Sequence, residues 1–255
     1  MHTITSKISK ISGSKYHEYK CPKKVKINNT LIKLAKKYLN NNISNPIILD
    51  GKNMQSTNIL LTSDANITGK INIPEIDEET HDIHKNSELC NAYYGSLGSF
   101  INDKQNKETV KQTNFIFADY TGSVSGNYSE NYYPMQDIHD VLKTTKSKKL
   151  VLGLTFCQRS RIPLKKSVRE NMVDKIRKDF VKPCIKYCGY KIIKGGSYSY
   201  KREAEHNKKT QPMVFFGYVL KKTNKFKNTN IKFIQGKRLI NNKNQRMYLG
   251  YDPNQ

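Results

Sequence analysis

Tryptophan is absent from the sequence and acids are scarce, with 21 Asp and Glu against 45 Lys and Arg. A core without Trp has to be assembled from Ile, Leu, Val and smaller rings, and Tyr, at 16, outnumbers Phe, at 9. No apolar run comes near the roughly 18 residues that cross a bilayer, and the basic N-terminus lacks the apolar stretch of a secretory signal. Membrane insertion and export by that route drop out of the expected functions. The expected location is intracellular, cytoplasmic or nuclear. Paired CxxC spacing is missing as well. The five cysteines, Cys21, Cys90, Cys157, Cys184 and Cys188, are odd in number and scattered, a pattern of free thiols in a reducing compartment and not of a disulfide framework. Cys184 and Cys188 share a helix face, and His81 and His84 lie close in sequence. Nothing ties these two pairs together, so no metal site is expected.

What is present in excess is positive charge, formally +24. Solubility asks for far less, a net charge of about 2–8 in a small domain, so the excess points to an anionic partner. Nucleic acid ranks first, because Lys and Arg release condensed counterions from a polyphosphate whatever its sequence. A membrane surface ranks second. The competing explanation is compositional: an AT-rich genome enriches Lys, Asn and Ile together, and Asn and Ile are abundant here. At 255 residues the chain has room for one large domain with a small appendage. Nothing in it sets an oligomeric state.

Residues 1–27 hold seven Lys, two Tyr and Pro22 with weak periodicity, which predicts a basic N-terminal arm. From Asn28 a helix is predicted, since Ile27, Leu31, Leu34, Ala35 and Leu39 recur at helical spacing. Seven strands follow, at 47–50, 70–74, 91–94, 115–119, 149–156, 190–200 and 212–221, with helices between the first six at 54–63, 77–86, 96–103, 134–145 and 165–188. Such alternation is the pattern of a mostly parallel sheet covered by helices on both faces, an α/β fold. The polar KREAEHNKKTQ between the last two strands is too short for a packed helix, so those strands are predicted antiparallel. Apolar alternation on both sides of Asn241-Asn242-Lys243-Asn244 predicts a C-terminal hairpin over 231–251. The expected division is an arm at 1–27, an α/β domain at 28–222 and a basic hairpin extension at 223–255.

In a parallel sheet the carboxyl ends of the strands lie on one edge, where ligands bind. The first strand ends in ILDGKNMQS, the second in INIPEID, the third in NAYYGSLGSF and the fourth in FADYTGSVSGN. With six alternating units and a terminal antiparallel strand, this order resembles the class I S-adenosylmethionine-dependent methyltransferases over roughly residues 28 to 221. The resemblance implies a Rossmann-like transferase and S-adenosylmethionine as cofactor. Asp50, Gly51, Asn53 and Ser56 would surround the methionine end, with Ser56 or Thr57 capping the following helix. Glu75 and Asp77 would meet the ribose hydroxyls, and Gly95, Ser96 and Leu97 the adenine. Asp119 would stand beside the sulfonium. Two motifs depart from the family: the first loop has one glycine in place of a GxG pair, and the fourth reads DYTG in place of (D/N)PP(Y/F).

Methyl transfer is an in-line displacement that asks mainly for alignment and one proton acceptor. Asp119 is the candidate base or orienter, and Tyr120 the candidate stacking ring beside it. Cys157 is expected to be structural, since the Pro that precedes a cytosine C5 nucleophile is missing. For a nucleic acid, RNA or single-stranded DNA with RNA favoured, the candidate contacts are Lys23, Lys24 and Lys26 in the arm and Arg159, Arg161, Lys165 and Lys166 after the fifth strand. Tyr128, Tyr132 and Tyr133 are candidates to stack on unpaired bases. The missing glycine motivates the alternative, a non-catalytic nucleic-acid-binding protein or partner subunit that keeps the fold. A third reading, a small-molecule or protein methyltransferase, takes the charge as genome bias.

Overall fold

The computed structural model describes residues 22–124, 133–158, 166–203, 210–223, 232–234, 238–240 and 246–248. Two short strands, β1 (Asn42–Ser44) and β3 (Asn66–Thr68), pair in parallel by themselves. The seven strands predicted from apolar runs are β2 (Ile47–Leu49), β4 (Ile71–Glu75), β5 (Cys90–Tyr94), β6 (Phe115–Asp119), β7 (Lys149–Cys157), β8 (Tyr190–Glu203) and β9 (Thr210–Lys222). They form one sheet in the order β5-β4-β2-β6-β7-β9-β8. The first four pairings are parallel, while β9 runs antiparallel to both of its neighbours. The last strand thus slots between β7 and β8 and leaves β8 as the edge. β7 is buried along its whole length after Lys149, as a central strand covered on two faces must be.

Helices α1 (Pro22–Tyr38), α2 (Gln55–Leu61), α3 (Glu78–Lys85), α4 (Leu97–Asn102), α5 (Lys107–Gln112) and α6 (Pro134–Thr144) precede β7 or connect its neighbours. After β7 come α7 (Lys166–Ile176), a π turn at Arg177–Val181 and α8 (Lys182–Tyr187). One face of the sheet packs Leu97 and Phe100 of α4, Met135 and Ile138 of α6, and Val173 and Ile185 of α7 and α8. The other face packs Ile27, Leu31 and Ala35 of α1 and Leu60 of α2.

Three elements differ from expectation. The helix foreseen at 165–188 is broken by the π turn, because Pro183 has no N–H to return to a carbonyl four residues back and the ladder widens there. The segment KETVKQ of α5 buries only Val110 and so carries no readable stripe. The C-terminal segment has three short antiparallel strands, β10 (Lys232–Ile234), β11 (Arg238–Ile240) and β12 (Arg246–Tyr248), where a two-stranded hairpin was predicted.

The start of α1 also moves. The helix begins at Pro22 and not at Asn28, since proline is well suited to a first turn whose N–H groups lack intrahelical partners. Lys23, Lys24 and Lys26 therefore belong to α1, not to an arm. What seats α1 is a pair of glycines facing each other across β7 and β9, Gly153 and Gly217. A Cβ at Gly153 would fall inside 3.0 Å of both Leu31 Cδ1 and Phe117 Cδ2. Leu31 occupies that saddle fully buried, and residues three and seven positions earlier, Asn28 and Lys24, lie on the same side of the helix towards its start.

Candidate functional site

Period-two alternation decides which strand-tip side chains meet. In β6, Phe115 and Phe117 face α1, so Asp119 does too, while Ile116, Ala118 and Tyr120 face α6. In β2, Ile48 faces α1 and so does Asp50, the residue after the strand. Leu49 pairs with Ala118 in parallel register, which brings the next residues, Asp50 and Asp119, side by side. Two adjacent carboxylates with little water around them need a cation.

Lys24 supplies it. Its Nζ donates to Asp119 Oδ2 at 2.9 Å and to Asp50 Oδ1 at 3.3 Å. The side chains of Asp50, Asp119 and Lys24 are 0%, 9% and 18% exposed, so the bridge is largely shielded from solvent. The remaining oxygens are engaged as well. Asp50 Oδ2 accepts from the Thr57 amide at 2.7 Å, and Oδ1 also from the Gly51 amide at 3.1 Å. Asp119 Oδ1 accepts from the Thr155 hydroxyl, its register partner in β7. Asp50 is thus the group that satisfies a first-turn amide of α2. Neither Ser56 nor Thr57 caps that helix: Met54 stands at the N-cap in a left-handed conformation with φ 46° and no side-chain cap. The buried Ser56 hydroxyl accepts instead from Asn28 Nδ2 of α1 at 3.3 Å.

The loop between β2 and α2 is exposed at Gly51, Lys52 and Asn53. A Cβ added to Gly51 would meet nothing within 4 Å, so the chain's own packing does not require glycine there. The Gly51 carbonyl faces inward and accepts from Nε2 of the buried His84 at 3.1 Å. That fixes the proton on Nε2 and leaves His84 Nδ1, buried, without a hydrogen-bond partner.

At the next two tips, Glu75 Oε1 accepts from the Asp77 amide at 2.8 Å, and the Glu75 carbonyl accepts from the Gly95 amide at 2.8 Å. Asp77 caps α3 through the Thr80 hydroxyl and amide, which hold its carboxyl below its ordinary range. Gly95, at φ 150°, passes too close to Tyr93 and Ser99 for any Cβ. Ser96 caps α4 through the Ser99 amide at 3.1 Å. Leu97, expected against adenine, is buried in the core at 3% exposure. In its place two exposed apolar side chains flank Glu75 and Gly95: Ile76 at 68% and Tyr94 at 59%, the latter edge-on to His81.

Tyr120 is also turned inward. Its ring stacks on Phe156 at 5.6 Å, and its hydroxyl donates to Asp137 Oδ2 at 3.2 Å. It is not a ring offered to a base. Burial pushes the Asp137 carboxyl up to about 7, with Asp140 adding to the rise and the Tyr120 hydroxyl opposing it. A Cβ at Gly98 would fall inside 3.0 Å of Asp137 Oδ1, so α4 and α6 touch at that carboxyl. Sequence reading missed Asp137 and Thr155, weighed His84 only as a metal ligand, and missed what Lys24 does. The available signal for Lys24 was its place on the stripe of Ile27 and Leu31.

Among the basic candidates, Lys23 and Lys26 are exposed, and Lys23 Nζ donates to the Lys201 carbonyl at 3.1 Å. Arg159, Arg161, Lys165, Tyr128 and Tyr132 lie outside the described residues, and of Lys166 only the backbone at the start of α7 is described. Cys184 on α8 and Cys188 at its C-cap are buried, and among the described residues no group of His, Cys, Asp or Glu is placed to hold a metal ion. No helix of those residues is long and apolar enough to cross a membrane.

A seven-stranded sheet of this order, with its one antiparallel strand next to the edge, is the class I methyltransferase fold. No family model matches the sequence, and no curated protein does. The chain is similar in fold to a candidate RNA methyltransferase from Pyrococcus horikoshii, with 12% identity over 77% of this chain and 83% of that one and a TM-score of 0.48. It is likewise similar to TYW2 of M. jannaschii in complex with AdoMet, at 10% identity over 77% and 76% and a TM-score of 0.45. A precorrin-6y C5,15-methyltransferase from Geobacter metallireducens shares 12% identity over 78% and 86%, with a TM-score of 0.41. At these identities the likeness is one of fold, and fold alone does not assign a substrate.

Proposed function

We propose that the protein is an S-adenosylmethionine-dependent methyltransferase acting on nucleic acid, RNA before DNA. The observation that carries this reading is the placement of Asp50, Glu75, Gly95 and Asp119 at the carboxyl ends of four adjacent strands, β2, β4, β5 and β6. The formal charge of +24 supports a polyanionic acceptor. The segments before Pro22 and after Thr223 are, on this reading, basic appendages to one methyltransferase-like unit.

The residues fit the adenosine end of the donor as they stand. Glu75 presents a carboxylate to a ribose diol, and the exposed Ile76 and Tyr94 offer apolar surface to a flat base. At the methionine end the Lys24 ammonium stands between Asp50 and Asp119, so Lys24 would have to withdraw for Asp50 to hold a donor's ammonium. That exchange would keep Asp50 paired with a cation and free Asp119 towards the acceptor. The bound donor supplies an electrophilic methyl group. Asp119 then holds the acceptor in line and takes its proton.

Lys24 also favours a second reading, a non-catalytic nucleic-acid-binding protein or partner subunit in which the lysine is a permanent substitute for the ligand. Calorimetry with S-adenosylmethionine and its demethylated product separates the two. Exchange predicts binding in the micromolar range to the full chain, and tighter binding to Lys24→Met, where the internal competitor is gone. If neither protein binds at tens of micromolar, methyl transfer is ruled out and the non-catalytic reading stands.

A further inference from the structure

The edge strand β8 carries an arrangement that methyl transfer leaves unused. Tyr198 and Tyr200 lie two residues apart on one face of β8, the face of their neighbour Phe215 in β9. The Tyr198 ring packs on Phe215 at 5.2 Å and meets Tyr200 edge-on at 6.3 Å, yet it remains 38% exposed. A ring propped against two others and still partly exposed is a stacking surface positioned before any ligand arrives. Exposed Lys191, Lys194 and Lys201 punctuate the same strand. A bulge between Ile192 and Lys194 and the left-handed Gly195, at φ 131°, bend it midway.

The surface is joined to the strand-tip edge by two consecutive residues of α1. Lys23 donates to the Lys201 carbonyl, while Lys24, the next residue, reaches Asp119. The first turn of α1 therefore touches both β8 and the strand-tip edge. Cationic side chains and an exposed ring match a polyanion with unpaired bases. RNA is the nucleic acid whose loops and single-stranded segments arrive already unpaired, so a stacking surface can receive them without separating base pairs.

We propose that β8 and the first turn of α1 form a docking surface for single-stranded RNA, with Tyr198 stacked on an unpaired base and Lys194, on the same face of the strand, turned to a neighbouring phosphate. The proposal rests on the nucleic-acid part of the function proposed above and not on methyl transfer.

Fluorescence anisotropy of the full chain with a labelled, unstructured uridine-rich oligoribonucleotide tests it. Tyr198→Ala weakens binding by about 5- to 150-fold, the range of one stacked base, while Tyr198→Phe stays within about 2-fold and both unfold thermally as the parent does. Lys194→Gln lowers the slope of log affinity against log salt by about 0.7, one phosphate on a single strand, and Tyr198→Ala leaves that slope unchanged. Parental affinity in Tyr198→Ala overturns the proposal, and so does equal affinity for an RNA duplex. Single-stranded DNA of the same sequence binding as tightly overturns the choice of RNA. Calorimetry with S-adenosylmethionine is run in parallel. RNA binding that depends on Tyr198 in a chain that binds no donor keeps the docking surface and discards methyl transfer. A parent chain that binds donor but no RNA does the reverse.

Discussion

The Nζ of Lys24 lies 2.9 Å from Asp119 Oδ2, tying the first turn of α1 to the tip of the central strand β6. Two lysines, Lys23 and Lys24, stand in that first turn, and it contains no acid, an arrangement that the helix dipole opposes by a few tenths to about 1 kcal/mol for each charge. Lys24 is tolerated there because two carboxylates meet it. On the proposed function, the same contact separates a donor site held closed from one permanently filled.

Removing the cation should therefore cost more than a surface lysine does. Lys24→Met leaves Asp50 and Asp119 facing each other with little solvent, and a loss of about 3–5 kcal/mol is expected for breaking such a pair. Urea unfolding measures it. The double variant Lys24→Met/Asp119→Asn should recover at least half of the loss. A single variant as stable as the parent would show that the bridge does not hold α1 in place.

Asp50 has two tasks that substitution separates. Asparagine keeps an oxygen for the Thr57 amide but loses the charge, whereas alanine loses both. Asp50→Ala should be about 1–2 kcal/mol less stable than Asp50→Asn, the usual worth of an N-terminal helix cap. Equal stabilities in chemical denaturation would mean that the bond to Thr57 contributes nothing.

The glycine saddle is open to a double-mutant cycle. Gly153→Ala forces a methyl into Leu31 and Phe117, and overpacking of this kind costs about 1–3 kcal/mol. Adding Leu31→Ala makes room, so the two substitutions should be less damaging together than their sum. Additive losses would place the strain elsewhere.

Asp137 gives the fold a pH dependence of definite sign. Its carboxyl is raised by burial from 3.8 to about 7, so between those values the folded chain holds a proton that the unfolded chain has released. Stability from this group therefore falls as pH rises from about 4 to about 7 and is level above that. Asp137→Asn should remove the slope and stabilise the protein at pH 8 by no more than about 4 kcal/mol, at 1.36 kcal/mol per pKa unit. Tyr120→Phe should move the midpoint upward, since the Tyr120 hydroxyl is what lowers it. Guanidinium unfolding across the pH range reads both.

Much of the architecture was legible because apolar runs bounded by Gly, Pro and Asn leave few choices. The runs FIFAD and KLVLGLTF are too apolar and too short to be anything but buried strands, and β6 and β7 follow. The tip residues were legible for the same reason, as the first polar side chains after each run. Their occupations were not. Asp50 reads as a ligand for a cofactor, yet its oxygens are taken by Thr57, Gly51 and Lys24. Tyr120 reads as a ring beside the reacting centre, although alternation from Phe117 and Asp119 already turns it to the opposite face.

The sequence by itself determined the number and order of the main elements, the antiparallel last pair, and the excess of cations. Periodicity and charge are local sums, readable residue by residue. Only the tertiary structure decided that β9 lies between β7 and β8, that Asp50 and Asp119 stand side by side, and that Lys24 is the cation between them. Those depend on which strands become neighbours and on Leu31 settling over Gly153 and Gly217. Contacts between residues far apart in the chain leave no periodic trace along it, because each is set by packing on both sides of the sheet at once.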